Sequence, residues 1–188
     1  MNRMKHIFYL LVCAILISGC TISHTFGPYE GKVVDSETGA PIEGAVVLLR
    51  FYTVGIGPEY KIVDIIETLT NKNGEFEIKY KVTKFRFLHN WQKYPLVNIF
   101  SPGYGAYPEH QNVEPKSTPF GTLPNNEFVT VKLPRLHTLE ERKKNLRNIS
   151  YPMSRIPFEK QHNFIKLINT EELSLGLEPT TIIKKGAQ

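Results

Sequence analysis

The eight residues Ala45 to Tyr52 read AVVLLRFY, and neither side of that stretch is polar. In an extended chain alternate side chains point to opposite faces. Ala45, Val47, Leu49 and Phe51 would then share one face, and Val46, Leu48, Arg50 and Tyr52 the other. Both faces are largely apolar. A strand of this kind is central in its sheet or covered by something from outside that sheet, so any fold for this chain must cover it on both sides.

The neighbouring segments read as strands and turns. Lys32 to Val34 forms a short strand that runs into Asp35-Ser36-Glu37-Thr38-Gly39, whose Asp and Gly suit a tight turn. Pro41-Ile42 and the small pair Gly44-Ala45 then lead into the doubly apolar strand, as an opening hairpin. A loop at Gly55 to Pro58 precedes a strand from Tyr60 to Thr70, and Asn73-Gly74 is a strong hairpin signal. Glu75 to Val82 alternates, with Phe76, Ile78, Tyr80 and Val82 inward and Glu75, Glu77, Lys79 and Lys81 outward. Leu96 to Phe100 is a short apolar strand, and Glu127 to Leu133 closes the set with Val129, Val131 and Leu133 on one face. Residues 101–126 carry five prolines and three glycines and read as a long loop. About seven short strands with turn signals between them predict a mainly β fold, a seven-stranded antiparallel β-sandwich over residues 29–134.

At the start, Arg3 and Lys5 precede an apolar run from Ile7 to Ile17 and then Ser18-Gly19-Cys20. That is the layout of a secretory signal over residues 1–19, too short to span a bilayer comfortably. Residues 20–28, polar and ending in Gly27-Pro28, read as a tether. Ile17-Ser18-Gly19-Cys20 resembles the bacterial lipobox, which implies cleavage before Cys20 and lipidation of that cysteine. The resemblance further implies a multiply acylated and effectively permanent membrane anchor, whereas one chain alone holds only marginally. Thr21, where an Asp would mark inner-membrane retention, implies outer-membrane sorting in a host with two membranes. Of the 188 residues 169 would remain. Cys13 would leave with the signal and Cys20 would be acylated, so the mature chain has no disulfide and folds by burial alone. The formal charge falls from +5 to +3. A mildly basic anchored protein without a basic cluster suits anionic lipid or cell-wall polymer as a partner, not nucleic acid.

After Pro134, Thr138-Leu139-Glu140-Glu141 has capping-box spacing and predicts a helix to about Asn148, with Leu139, Arg142, Leu146 and Ile149 along one side. A second helix is predicted from Pro157 to Ile168, with Phe158, Gln161, Ile165 and Ile168 at helical spacing. Thr170 to Leu177 reads as a last short turn and the tail from Thr180 as loose. From Arg135 on there are ten Lys and Arg against six Glu. This helical extension, residues 135–188, is expected to cover the face of Val46, Leu48 and Tyr52. The competing reading docks its amphipathic faces on a partner or on the membrane.

Three blocks carry a family resemblance: GKVVDSETGAPIEGAVV at residues 31–47, TNKNGEF at 70–76 and SPGY at 101–104. Together they resemble the carboxypeptidase regulatory-like domain family, a transthyretin-like β-sandwich, over about residues 29–134. The first block is the most specific, and Asn71 stands where the family usually has Asp. The resemblance implies a non-catalytic accessory domain for folding, docking or ligand contact in surface proteins, although a fold alone does not fix a function.

Signals for chemistry are sparse. His24, His89, His110, His137 and His162 form no HxH or HExxH pair. Tyr104, Tyr107 and His110 lie at intervals of three and could gather around a metal, in the way that intradiol dioxygenases, with a related sandwich, hold iron by two Tyr and two His, but the second histidine close by is missing. Ser101, Ser117 and Ser150 lack a nucleophile elbow, and Asn71 to Glu75 lacks the spacing of a calcium loop. No catalytic residue, metal site or cofactor is expected. What remains is an aromatic set: Phe85, Phe87, Trp91 and Tyr94 in one loop, and Tyr104, Tyr107 and Phe120 in another. With Arg86, Lys93 and Lys116 they would make an aromatic, basic rim if both loops share one end of the fold, or a satellite core beneath them if they do not. Trp91, Tyr94, Tyr104, Tyr107 and Arg86 are the candidate binding residues, and Cys20 the lipidation site. The expected function is a lipid-anchored, non-catalytic envelope module that contacts another envelope protein. A glycan-binding module for peptidoglycan or surface polysaccharide, using Trp91 and Tyr104, is the runner-up, and an envelope metalloenzyme a distant third.

Overall fold

The structure is a computed structural model that describes residues 5–7, 9, 24–55, 60–82, 90–115, 121–149 and 157–179. Cys20, Phe85, Arg86, Phe87, Lys116 and Phe120 lie outside these residues, as does the cleavage point proposed before Cys20.

The fold is mainly β, with sheets of three and four strands and a few short helices. In chain order the strands are β1 (His24–Asp35), β2 (Val46–Val54), β3 (Tyr60–Leu69), β4 (Glu75–Val82), β5 (Asn90–Trp91), β6 (Leu96–Phe100) and β7 (Phe128–Leu133). One sheet has the order β4-β1-β7. In the other, β2 is central, with β3 on one side and both β5 and β6 on the other. Helix α1 (Leu139–Asn148) and, after a short 3-10 turn at Phe158–Lys160, helix α2 (His162–Ser174) complete the chain. Among the described residues no helix is long and apolar enough to cross a membrane.

Four expectations are corrected. The tether expected over residues 20–28 is strand from His24 onward, because Phe26 and Tyr29 are fully buried and pair with Tyr80 and Ile78 of β4. The sheets are not purely antiparallel: β1 runs parallel to β7, from Glu30 beside Phe128 to Asp35 beside Leu133. The two turns read as hairpins join strands of different sheets, since β1 and β4 belong to one sheet and β2 and β3 to the other. Turn chemistry is local, and it does not dictate which sheet the next strand joins. At the second turn Asn71 Oδ1 accepts from the amides of Asn73 and Glu75, both at 2.9 Å. Gly74 there (φ +74°) lies so close to β1 that a Cβ would sit 2.5 Å from the Val33 carbonyl oxygen. Finally, the second helix starts later and runs further than predicted, so that Thr170 lies within α2.

The main core lies between the sheets. Tyr29, Val33, Phe76, Ile78, Val131 and Leu133 from one sheet meet Val47, Leu49, Phe51, Val97 and Ile99 from the other. The opposite face of β2 is covered by the helices: Val46 and Leu48 cluster with Ile65, Phe100, Leu146, Ile149, Phe164 and Ile168. Phe100 and Phe164 meet edge to face with ring centroids 6.4 Å apart, a favoured aromatic geometry.

Polar contacts fix where the helices dock. Glu171, fully buried, accepts from Arg142 Nε at 2.8 Å and Nη2 at 2.5 Å and from the Gly103 amide at 3.1 Å. The start of α2 has no local side-chain cap. Glu67 of β3 supplies one, accepting from the amides of Asn163 at 2.6 Å and Phe164 at 3.0 Å. These contacts separate two kinds of loss. Ile168→Ala is expected to cost about 2–5 kcal/mol through the cavity it leaves. Arg142→Met should cost a similar about 3–5 kcal/mol by stranding a buried carboxylate. Urea midpoints would check both, and the double variant Arg142→Met, Glu171→Met should recover much of the second loss but none of the first.

Candidate functional site

One polar concavity is a cleft of about 420 Å³ against one side of α1. Glu141, Lys144, Asn145 and Asn148 form one wall, at the spacing that aligns side chains along a helix. Glu109 to Asn112 form a second, Pro134 to His137 a third, and Glu37 from the turn after β1 completes the lining.

Each wall is fixed by its own hydrogen bonds. The capping box anchors the start of α1: Thr138 Oγ1 accepts from the Glu141 amide at 3.2 Å, and Glu141 Oε2 accepts from the amides of Thr138 at 3.0 Å and His137 at 3.1 Å. Asn145, buried in mid-helix, accepts from the Ala106 amide at 3.0 Å and donates to the Tyr104 carbonyl at 3.1 Å, tying α1 to the chain beneath it. The His110 side chain lies close against Gly105, where a Cβ would come within 2.6 Å of the imidazole Cγ. Only glycine leaves room for the ring in this position. Its Nδ1 accepts from the Asn112 amide at 3.3 Å, which leaves the proton of the neutral ring on Nε2. Asn98 donates to Glu109 from the second sheet.

Behind the third wall the buried Asp35 closes a hydrogen-bond network. Its Oδ1 accepts from the amides of Glu37 at 2.9 Å and Thr38 at 3.1 Å, and its Oδ2 accepts from Tyr104 Oη and Arg135 Nε, both at 3.2 Å. Arg135 Nη2 also donates to Tyr104 Oη at 2.6 Å, with the guanidinium 5.0 Å from the tyrosine ring centroid. Burial alone would push the Asp35 carboxyl up, but the two backbone amides, then Arg135 and Tyr104, outweigh it and hold the group below the ordinary aspartate value. Burial also holds His110 below the ordinary imidazole value, with Lys144 adding to the effect and Glu141 opposing it.

Among the described residues, Trp91, Tyr94, Tyr104 and Tyr107 do not gather on a rim. Trp91 is 9 % exposed and packs edge-on against Phe26 within the main core, its ring filling space between the sheets. Tyr107 is buried as well, and its hydroxyl donates to the Thr122 carbonyl at 2.7 Å. Tyr104 belongs to the Asp35 network, and Tyr94 is half-buried with Lys93 Nζ 5.0 Å from its ring centroid. The loop expected over residues 101–126 is pinned by isolated bridges, Ile99 to Tyr107, Tyr104 to Arg135 and Glu114 to Lys132, which draw its aromatic residues inward. Tyr104, Tyr107 and His110, three apart in sequence, are each committed to separate partners. Among the described residues no group of three or more His, Cys, Asp or Glu is placed to hold a metal ion. The cleft residues Glu37, Glu109, Arg135, Lys144 and Asn148 were not singled out as a site from the sequence. The only prior signal was the polar face of α1 opposite its apolar one.

No known family model, curated protein or solved structure matches the chain.

The depressed pKa values of Asp35 and His110 set a pH dependence. Asp35 contributes stability that is complete above the ordinary aspartate range and is lost as pH falls through its lower folded value. His110, which the fold keeps neutral, costs stability once the unfolded chain protonates, below the ordinary imidazole range. Acidification should therefore destabilise the protein in two steps. His110→Gln should flatten the upper step, and Asp35→Asn should lower stability at neutral pH while flattening the lower one, as measured by thermal unfolding across pH.

Proposed function

We propose that this chain is a lipid-anchored, non-catalytic protein of the bacterial envelope, in which a transthyretin-like β-sandwich of the carboxypeptidase regulatory-like type serves as a binding or accessory module. The lipobox-like Ile17 to Cys20 supports the anchor, and facing the periplasm from an outer membrane is the reading that Thr21 favours. Two sheets packed face to face over one core support the sandwich.

The observation that carries the binding role is the polar cleft beside α1. Much of the apolar surface of α1 and α2 is spent on β2, with Leu146, Ile149, Phe164 and Ile168 all buried there, while Leu139 and Leu173 stay exposed. A concavity of about 420 Å³ with converging charged and amide groups supports placing recognition there. Trp91, buried in the core, does not offer the open ring face that sugar stacking requires, so contact with a non-glycan envelope component is the better-supported reading.

Two measurements test this. Cys20→Ser should move the protein from the membrane to the soluble fraction, and persistence in the membrane would remove the anchor from the proposal. A photo-crosslinker at Gln111 in the cleft should capture a defined envelope component in cells, while one at Thr130, exposed on β7, should not. Equal capture from both positions, or none from Gln111, would count against the cleft.

A further inference from the structure

The fold leaves almost no chain between the proposed anchor and the body of the protein. Strand β1 begins at His24, so only Thr21, Ile22 and Ser23 separate it from Cys20. A chain spans at most about 3.5 Å per residue, which holds His24 within roughly 14 Å of a lipidated Cys20 whatever path those residues take.

Strand register identifies what else lies at that pole. Val82 at the end of β4 pairs with His24. Across the core Phe26 packs on Phe51 and Trp91, and beyond Phe51 the end of β2 pairs with Tyr60 and Lys61 of β3 and with Asn90 and Trp91 of β5. The described residues of this pole, 24–28, 51–54, 60–63, 79–82 and 90–96, include Lys61, Lys79, Lys81 and Lys93 and no Asp or Glu. One row further in, the carboxylates are neutralised from within the protein: Glu77 pairs with Lys79 at 2.7 Å, and Asp64 with Lys160. Lys61 and Lys93 are exposed and form no ion pair with the described residues. Lys93 stands over Tyr94, an amphipathic ring of the kind that suits headgroup level.

An anionic bilayer attracts lysines that come within about a Debye length, about 8 Å at physiological salt. The short tether permits that approach at this pole. The cleft lies at the other one. Strand β1 ends at Asp35, and Glu37 in the turn that follows lines the cleft. At about 3.3 Å per residue the twelve residues of β1 carry the chain roughly 30 Å from its start.

We propose that the pole formed by the start of β1, the end of β2, the start of β3 and β5 docks on the anionic headgroup surface of the bilayer through Lys61 and Lys93, which turns the cleft away from the membrane. The inference rests on the lipidation of Cys20 and gives the anchored module its orientation.

The test uses the full-length lipidated protein in vesicles of phosphatidylethanolamine and phosphatidylglycerol that carry a headgroup-nitroxide lipid. With Cys13 removed and Cys20 acylated, an introduced cysteine is the only free thiol and takes a fluorophore. A label at Asn90→Cys should be quenched at least threefold more than one at Gln111→Cys, both positions being exposed. The double variant Lys61→Gln, Lys93→Gln should lose at least half of the quenching at Asn90 while staying with the membrane, and replacing phosphatidylglycerol by phosphatidylcholine should do the same. Trp91, the single tryptophan of the chain, reports the same pole without a label: energy transfer from it to a dansyl-headgroup lipid should fall at least twofold in the double variant. Equal quenching at the two labels, stronger quenching at Gln111, or indifference to both the lysines and the lipid charge would overturn the proposal. Failure of the anchor shows separately, as Cys20→Ser protein that stays with the membrane, whereas an anchored protein with equal quenching loses only the orientation.

Discussion

The structure depends on covering β2 from both sides. Val47, Leu49 and Phe51 look into the space between the sheets, and Val46 and Leu48 look the other way, toward the helices. A β-sheet packed on another sheet has one of its faces covered, and the second face of an apolar strand would otherwise meet water at about 25 cal/mol per Å² of lost burial. The C-terminal segment meets that need. It is therefore part of the folded body, continuous with the sheets through Phe100, Ile65 and Phe164, and the boundary drawn at residue 135 marks a change of secondary structure more than a change of domain.

Apolar cover does not by itself decide how a helix sits, since many rotations bury similar area. Buried polar groups choose among them. Glu171 is fully buried and needs both Arg142 and the Gly103 amide, which fixes α2 against α1 and against the turn after β6. Asn145 does the same for α1 by bonding both sides of the chain at Tyr104 to Ala106, and Glu67 caps α2 from a strand far back in the sequence. A misdocked helix would leave these groups desolvated without partners, at a cost of several kcal/mol (about 1–3 for each neutral group and more for a charge).

The cleft follows from that docking. Once Asn145 fixes the rotation of α1, Glu141, Lys144 and Asn148 must face the loop of His110, and the depth between them is set by how closely His110 lies on Gly105. On the far wall, Asp35 joins the turn after β1 to Tyr104 and Arg135, so the segments that bound the cleft are held by hydrogen bonds within the fold. Rigid support of this kind reduces the ordering cost of binding.

Much of the β architecture was legible in the sequence because its signals are short-range. Alternation located β4, the doubly apolar run located β2 and predicted a second cover, and the Thr138 to Glu141 box located the start of α1. Three features were beyond it. Strand β1 was read as starting late because Gly27-Pro28 looks like a tether, and only pairing with β4 makes that segment a strand. The parallel pairing of β1 with β7 brings together residues about a hundred positions apart, and nothing local encodes it. Whether the aromatic residues form a rim or a core beneath the loops stayed open, because composition says which side chains are large and not which way a pinned loop turns them; the bridges at Tyr104 and Tyr107 decide it for those two. The sequence by itself determined most of the strands, their apolar faces and the need for a second cover on β2, since each is written in the periodicity of neighbouring residues, but not the early part of β1 or the short β5. The tertiary structure alone decided the sheet membership of each strand, the burial of Trp91 and Tyr107, and the cleft, because each depends on contacts between segments distant in the chain, whose geometry exists only once the whole is packed.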